Sequence, residues 1–282
     1  MSALTPQALI TGSVEINSLP EIFTQINELV DDPYCSVNDI SKVVLTDPSL
    51  TARLLKLVNS PFYGFPSEIS TISRAVAVIG MQELRDLVLA TSVTRMFKGI
   101  PSDLVNMTEF WHQSVYCGLV ARAIATRING TNREKLFVAG MLHRIGSLVL
   151  YKKTPELSRE ALSRAQFSGE VLYQAERDVF GFDYASVSGE LLRQWKLPNS
   201  LRNSVENHIS PSSHDDFTTD TAVIHLASLV ATALQSESEE VIPSLDEPAW
   251  KHAGCAVELL DAAIEEANIQ ISETYSLIRS DH

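Results

Sequence analysis

Leu136 to Tyr151 reads LFVAGMLHRIGSLVLY. Apart from His143, Arg144 and Ser147, every residue in it is apolar, aromatic or glycine. A helix that is apolar all round is normally buried, so this stretch is expected to be a core helix interrupted by His143 and Arg144. An imidazole and a cation inside a core need a partner, a ligand or water. Gly140 and Gly146 flank the pair, and each costs a helix interior about 1 kcal/mol relative to alanine. The compensation expected is close approach of another backbone or a bound group. A site would therefore lie here, and the rest of the chain decides whether one is supplied.

Outward from this helix the hydrophobic period stays at three and four. Upstream, Ile22, Phe23, Ile26, Leu29 and Val30 form one apolar face, closed by Asp32-Pro33. Ser36, with Asp39 three residues on, reads as a capping box. Asp47-Pro48 reads as a cap followed by proline at the first helical position. Leu50, Leu54, Leu55, Leu57 and Val58 continue that helix to Asn59-Ser60-Pro61. FYGFPSEIS, residues 62–70, is an aromatic loop, expected to be pinned into the first lobe by its own aromatics. Thr71 caps a short helix closed by Gly80, and a long helix runs from Met81 to about Phe97.

A second helical set opens near Thr108 and runs to a stop at Asn129-Gly130. Thr131 or Asn132 caps the opening helix. Further helices are read from Pro155, over 169–180, over 185–195, from Leu197-Pro198 to near His208, and over 219–235. Ser210 to Asp216 and 236–248 read as polar loops, and Trp250 to about Ile278 as one or two amphipathic helices. The expectation is an all-α chain of about a dozen helices in two packed lobes joined near Gly99 to Ser102. Residues 1–13 are read as an arm with at most one short helix.

Composition sets outer bounds. With 282 residues, 45% of them hydrophobic and 20% charged, the chain can bury a sizeable core as an ordinary globular protein. A formal charge of -13 and the lack of a dense Lys/Arg run argue against nucleic acid and anionic membranes as partners. Cys35, Cys117 and Cys255 are odd in number and widely spaced. That disfavours a disulfide framework or a cysteine zinc site, and fits the cytoplasm. The N-terminus has no signal-peptide pattern and no apolar run is long enough to span a bilayer.

Two regions carry a family resemblance. LPEIFTQINELVDDPYCSVNDISKVVLTDPSLTARLLKLVNSPFYGFPSEISTISRAVAVIGMQELRDLVLA resembles the N-terminal half of an HDOD domain. It has that family's opening Leu-Pro, Asp-Pro-x-Leu-x-x-x-Leu-Leu helix, Asn-Ser-x-Phe-Tyr loop and Ile-Gly turn. AGMLHRIGSLVLY and LLRQWKLPNSL are similar to its second half. The resemblance covers roughly Val14 to Ser213, divisible into lobes 14–98 and 102–213, with 214–282 completing the second lobe. It implies a multi-helical, HD-domain-like fold, a signalling role, and descent from the metal-dependent HD phosphohydrolases.

An HD hydrolase holds divalent metal on His and Asp side chains, and the metal lowers the pKa of a bound water. The resemblance places the first ligand at Gln113, in Trp111-His112-Gln113-Ser114, with His112 about 100° round the helix. The His-Asp pair becomes His143-Arg144. The Asp-His-Ala pattern becomes Asp183-Tyr184-Ala185, a late histidine stands at His208, and the Ala-Asp pattern becomes Ala227-Ser228 beside His225. Arginine stays protonated and has no lone pair to give, so at a carboxylate position it repels the metal. The site at Gln113, His143, Arg144, Tyr184, His208 and Ser228 is thus read as vestigial. No metal, cofactor or catalytic residue is expected.

His143 reads as a buried histidine bonded to a neighbouring helix, and Arg144 as paired with an acid on a facing helix. His208 and His225 read as residues of helix ends or a lobe boundary, His112 as ordinary packing, and Lys152-Lys153 as a helix C-terminus. Glu237-Ser238-Glu239-Glu240 reads as a solvated loop. The alternative for His143, Arg144 and His208 is a pocket for an anion such as a nucleotide phosphate, which suits arginine's planar fork of donors. The functional expectation is a non-catalytic signalling module that binds signalling proteins of unknown identity or a small-molecule signal. The alternatives are a metal-dependent phosphohydrolase acting on a nucleotide or phosphoester, which alone calls for divalent metal, and a sensor that holds a small anionic ligand in the degenerate pocket.

Overall fold

The computed structural model describes residues 4–11, 19–211, 218–235 and 247–279, and among them every regular element is a helix. In chain order these are α1 (Pro6–Thr11), α2 (Glu21–Val30), α3 (Val37–Val44), α4 (Pro48–Val58), α5 (Ile72–Ile79), α6 (Met81–Val93), α7 (Met107–Arg127) and α8 (Arg133–Leu142). They are followed by α9 (Ile145–Lys153), α10 (Pro155–Ser168), α11 (Leu172–Phe180), α12 (Tyr184–Gln194), α13 (Asn199–Glu206), α14 (Thr219–Gln235), α15 (Glu247–Ala253) and α16 (Val257–Arg279). Of the polar loop read over 210–216, residues 212–216 lie outside the described residues, as does the acidic run Glu237 to Glu240.

The local chemistry that starts the helices is the one read above. The Ser36 hydroxyl accepts from the Asp39 N–H while the Asp39 carboxylate accepts from the Ser36 N–H, closing a capping box on α3. Asp47 caps α4 with Pro48 in its first turn, Thr71 caps α5, and Asn132 caps α8. α6 ends at Val93, earlier than the apolar pattern suggests, and a turn carries the chain on to Phe97.

α7 is the axis of the fold. Its length from Phe110 to Ala125 is buried almost without interruption, except at His112. α8, α14 and α16 pack around it, and α16 also reaches α4 and α6. The fit to α8 depends on glycine. A Cβ on Gly140 would stand 2.6 Å from the Cα and N of Gly118, and one on Gly118 would stand 2.6 Å from the Phe137 carbonyl oxygen. Backbone meets backbone there, which is the close approach that a glycine in a core helix implies.

The short helix read for the arm is α1, which buries Leu9 and Ile10 against α9 and α12. One expectation is corrected. The aromatic loop is pinned outward from the first lobe: Phe62 is buried, its ring 4.9 Å from that of Phe137, with the Arg122 guanidinium 3.9 Å above it. The apolar cluster runs continuously from Leu9 to Ile278, so the helices share one core.

Candidate functional site

Leu136 to Tyr151 is two helices, a correction to the single helix its apolar run suggests. α8 ends at Leu142 and α9 begins at Ile145, with Arg144 at φ -109°, ψ 11° between them. The break has a physical cause in α12. The Gly146 N–H donates to the Ser188 hydroxyl at 2.8 Å, and that hydroxyl donates to the Tyr184 carbonyl at 2.9 Å with the His143 carbonyl at 3.3 Å. A Cβ on Gly146 would collide with the backbone of Tyr184 and Ser188. Ser188 thus supplies the hydrogen bonding that a continuous helix would have made internally, and the break turns Arg144 toward a pocket.

That pocket is a cavity of about 340 Å³ whose lining includes His143, Arg144, Tyr184, His225, Ser228 and Thr232. His143 is fully buried, and its Nδ1–H donates to the Gly140 carbonyl at 2.5 Å. This bond lies within its own helix turn, where a bond to a neighbouring helix was expected. A carbonyl only accepts, so the proton sits on Nδ1 and the Nε2 lone pair is left; Nε2 is buried with no hydrogen-bond partner. His208 is arranged alike, Nδ1–H to the Val205 carbonyl at 2.6 Å, with the Tyr184 hydroxyl 3.3 Å from Nε2. His225 donates from Nδ1 to the His208 carbonyl at 2.7 Å. The rings of His143 and His208 meet edge to face at 5.3 Å. His208 follows the end of α13, as read, yet its ring and that of His225 belong to the site.

Arg144 is half-buried and donates from Nη1 to the Gln113 Oε1. Gln113 in turn donates to the Thr232 hydroxyl at 3.4 Å. The guanidinium lies 5.9 Å from the ring centres of both Phe110 and Tyr184. No carboxylate within 4 Å pairs with it among the described residues, so the expected salt bridge to a facing acid is replaced by a neutral amide acceptor. His112 packs its ring 5.2 Å from Tyr275. The Ser228 hydroxyl is turned back onto the His225 carbonyl at 2.8 Å.

The electrostatics follow from burial beside a cation. Desolvation, then His208 and then Arg144, hold His143 well below the ordinary histidine pKa, and His208 is lowered to about 4, chiefly by burial. Both are neutral at pH 7. One acid near the pocket was not anticipated. Glu176 on α11 is buried and accepts the Tyr184 N–H at 2.7 Å, and burial pushes its pKa up to about 8. Its place on the Leu172, Glu176, Phe180 stripe, at helical spacing, was the signal that it faces inward. Asp183 caps α12 through the Ser186 N–H at 2.9 Å and accepts from Arg177 at 2.6 Å, so its carboxylate is used structurally.

Three imidazoles held by carbonyls at Nδ1 are oriented as metal-binding histidines commonly are. The donor set nevertheless does not fit a divalent ion. Arg144 brings a fixed positive charge into the pocket, the nearest carboxyl groups are a capping Asp183 and a Glu176 favoured in its neutral form, and no group of three or more His, Cys, Asp or Glu among the described residues is placed to hold a metal. What this arrangement can offer is hydrogen bonding and charge to an anion.

An all-helical fold with a pocket built at the His-Arg break defines a protein of the HD-like helical class. Residues 16–211 match the HDOD domain family, and the chain belongs to it. In fold it is similar to a structure from Shewanella amazonensis SB2B named "Putative phosphohydrolase", at 26% identity and TM-score 0.76 over 96% of this chain and 98% of that one. It is similar also to an HDOD domain protein with unknown function from Geobacter sulfurreducens, at 22% identity and TM-score 0.72, covering 97% and 95% of the two chains. A curated relative, an uncharacterized protein of Treponema pallidum (strain Nichols), is 24% identical over 238 residues, or 81% of this chain. The chain spans 45% of that relative's length. No helix among the described residues is long and apolar enough to cross a membrane.

Proposed function

We propose that this chain is a non-catalytic, cytoplasmic signalling module whose pocket between α8, α9, α12 and α14 binds a small anionic ligand as its input and whose output is a change in binding to signalling proteins. The single observation that carries the reading is Arg144. It stands where the resemblance places the aspartate of the HD pair, lines the cavity, and meets the neutral Gln113 and Tyr151, with no carboxylate within 4 Å among the described residues. A guanidinium so placed keeps donors for a phosphate or carboxylate. The neutral His143 Nε2 beside it completes a pocket with one cation and no competing free carboxylate among its lining residues. Thermal-shift screening against nucleotides tests this. A stabilising ligand whose effect is abolished by Arg144→Ala supports it, and no shift across a broad panel counts against it.

A second reading, a metal-dependent phosphohydrolase, has one observation in its favour: His143, His208 and His225 all carry their proton on Nδ1 and turn Nε2 away from the bonded carbonyl. Stoichiometric iron, manganese or zinc together with phosphatase activity in the purified protein would favour it over the first.

A further inference from the structure

A second cavity lies where the exit of α6, the start of α7 and the end of α16 converge. It has a volume of about 520 Å³ and is lined by three cations, Arg95, Lys98 and Arg279, with Phe97, Met107 and Trp111 beside them. No carboxylate is among its lining residues. In a chain of net charge -13, three cations around one cavity with no acid between them form a local reversal of the surrounding field.

The donors there are also unspent. Trp111 is buried, and its indole N–H has no acceptor. The Arg95 Nη2 is likewise buried without an acceptor. Among the described residues Arg279 donates to neutral groups, the Thr108 hydroxyl at 2.9 Å and the Tyr275 hydroxyl at 2.7 Å. Neither Arg95, Lys98 nor Arg279 has a carboxylate within 4 Å among the described residues. Buried donors are nearly always satisfied in folded proteins, and those left over call for an explanation such as a bound group. The volume falls in the range of small-molecule sites, roughly 300 to 1,000 Å³, and exceeds what an inorganic oxyanion fills.

We propose that this cavity binds a phosphorylated small molecule, its phosphate among Arg95, Lys98 and Arg279 and its organic part against Phe97 and Met107. Three convergent cations match the double charge of a phosphate monoester, and arginine gives it paired N–H donors. The ligand would join three segments distant in sequence: the link after α6, the first turns of α7, and the last turn of α16. It is a different site from the Arg144 pocket and does not depend on that pocket being functional.

Calorimetric titration and thermal shift of the full chain with AMP and ribose 5-phosphate, and with adenosine as the uncharged control, test the proposal. The two phosphorylated probes should bind saturably and raise Tm, and adenosine should not. Lys98→Gln combined with Arg279→Gln should weaken binding by roughly tenfold or more, the size expected for lost charged hydrogen bonds. Trp111→Phe, which removes the indole N–H along with part of the ring, should weaken it less, and in an Arg144→Gln background, where the first pocket lacks its cation, saturable binding that depends on Lys98 and Arg279 should persist. Lys98 is exposed, so its substitution leaves the core intact. Absence of saturable binding at millimolar probe, wild-type affinity in the double variant, or loss of binding in Arg144→Gln would each overturn the proposal.

Discussion

At position 144 the chain puts a permanent cation where the HD pair of the resembled hydrolases has a carboxylate, and neutral and aromatic side chains surround it. Gln113 accepts from its guanidinium, and Tyr184 and Phe110 stand beside it. Gln113 and Tyr184 were named from motif matching alone, whereas Phe110 was not. Their geometry was not legible, because a sequence does not say which ring nitrogen meets a carbonyl or that Arg144 takes an amide in place of an acid. The glycines were legible for the right reason. Gly140→Ala should destabilise the protein by about 1–3 kcal/mol, the usual cost of forcing extra atoms into a packed core. The atoms it meets are backbone atoms of α7 that cannot rotate away. Urea unfolding of the variant beside wild type measures this.

At the scale of elements, capping chemistry was readable because it is local: Ser36 with Asp39, Asp47 with Pro48, and Thr71 each act within four residues. The break between α8 and α9 was not, because its partner is Ser188, more than forty residues on. An unbroken apolar period conceals a break whose hydrogen bonds come from another helix. Ser188→Ala should cost about 1–3 kcal/mol, since it leaves the buried Gly146 N–H without an acceptor. It should also loosen Arg144, so any ligand stabilisation that depends on Arg144 should fall. Paired thermal melts with and without the ligand identified by nucleotide screening check both effects. The aromatic loop teaches a similar lesson, since Phe62 docks on Phe137 and Arg122 far along the chain.

Over the whole molecule, buried titratable groups give stability a defined pH dependence. His208 has a folded pKa of about 4 against 6.5 unfolded, and His143 is lowered in the same sense. Their contribution is complete above pH 6.5 and is lost as pH falls toward 4, on the order of 3 kcal/mol for His208. Glu176 acts oppositely. Its folded pKa of about 8 exceeds the unfolded 4.5, so its contribution is complete below 4.5 and is lost as pH rises to 8. Asp86, raised to about 6 by burial, adds a falling slope that ends there. From these four groups stability should peak near pH 6.5, where the histidine slopes end and that of Glu176 continues downward. Glu176→Gln should remove the decline between pH 6.5 and 8 and be more stable than wild type at pH 8. Chemical unfolding from pH 4.5 to 8.5 of both proteins reads this directly.

The all-helical class and the family were legible at this scale, since both rest on period and on ordered motifs. The seating of α16 on α4 and α6 as well as α7 was not, because an amphipathic face does not name what covers it.

The central proposal is that the Arg144 pocket takes an anion and holds no divalent metal. Elemental analysis of the protein, purified from cells grown with added iron, manganese and zinc, tests it most directly. The account predicts well under one equivalent of any of these metals per chain, and no gain in thermal stability when Mn²⁺ is added back. One or two equivalents retained through purification, lost with a chelator and restored by Mn²⁺ with a rise in Tm, would contradict it.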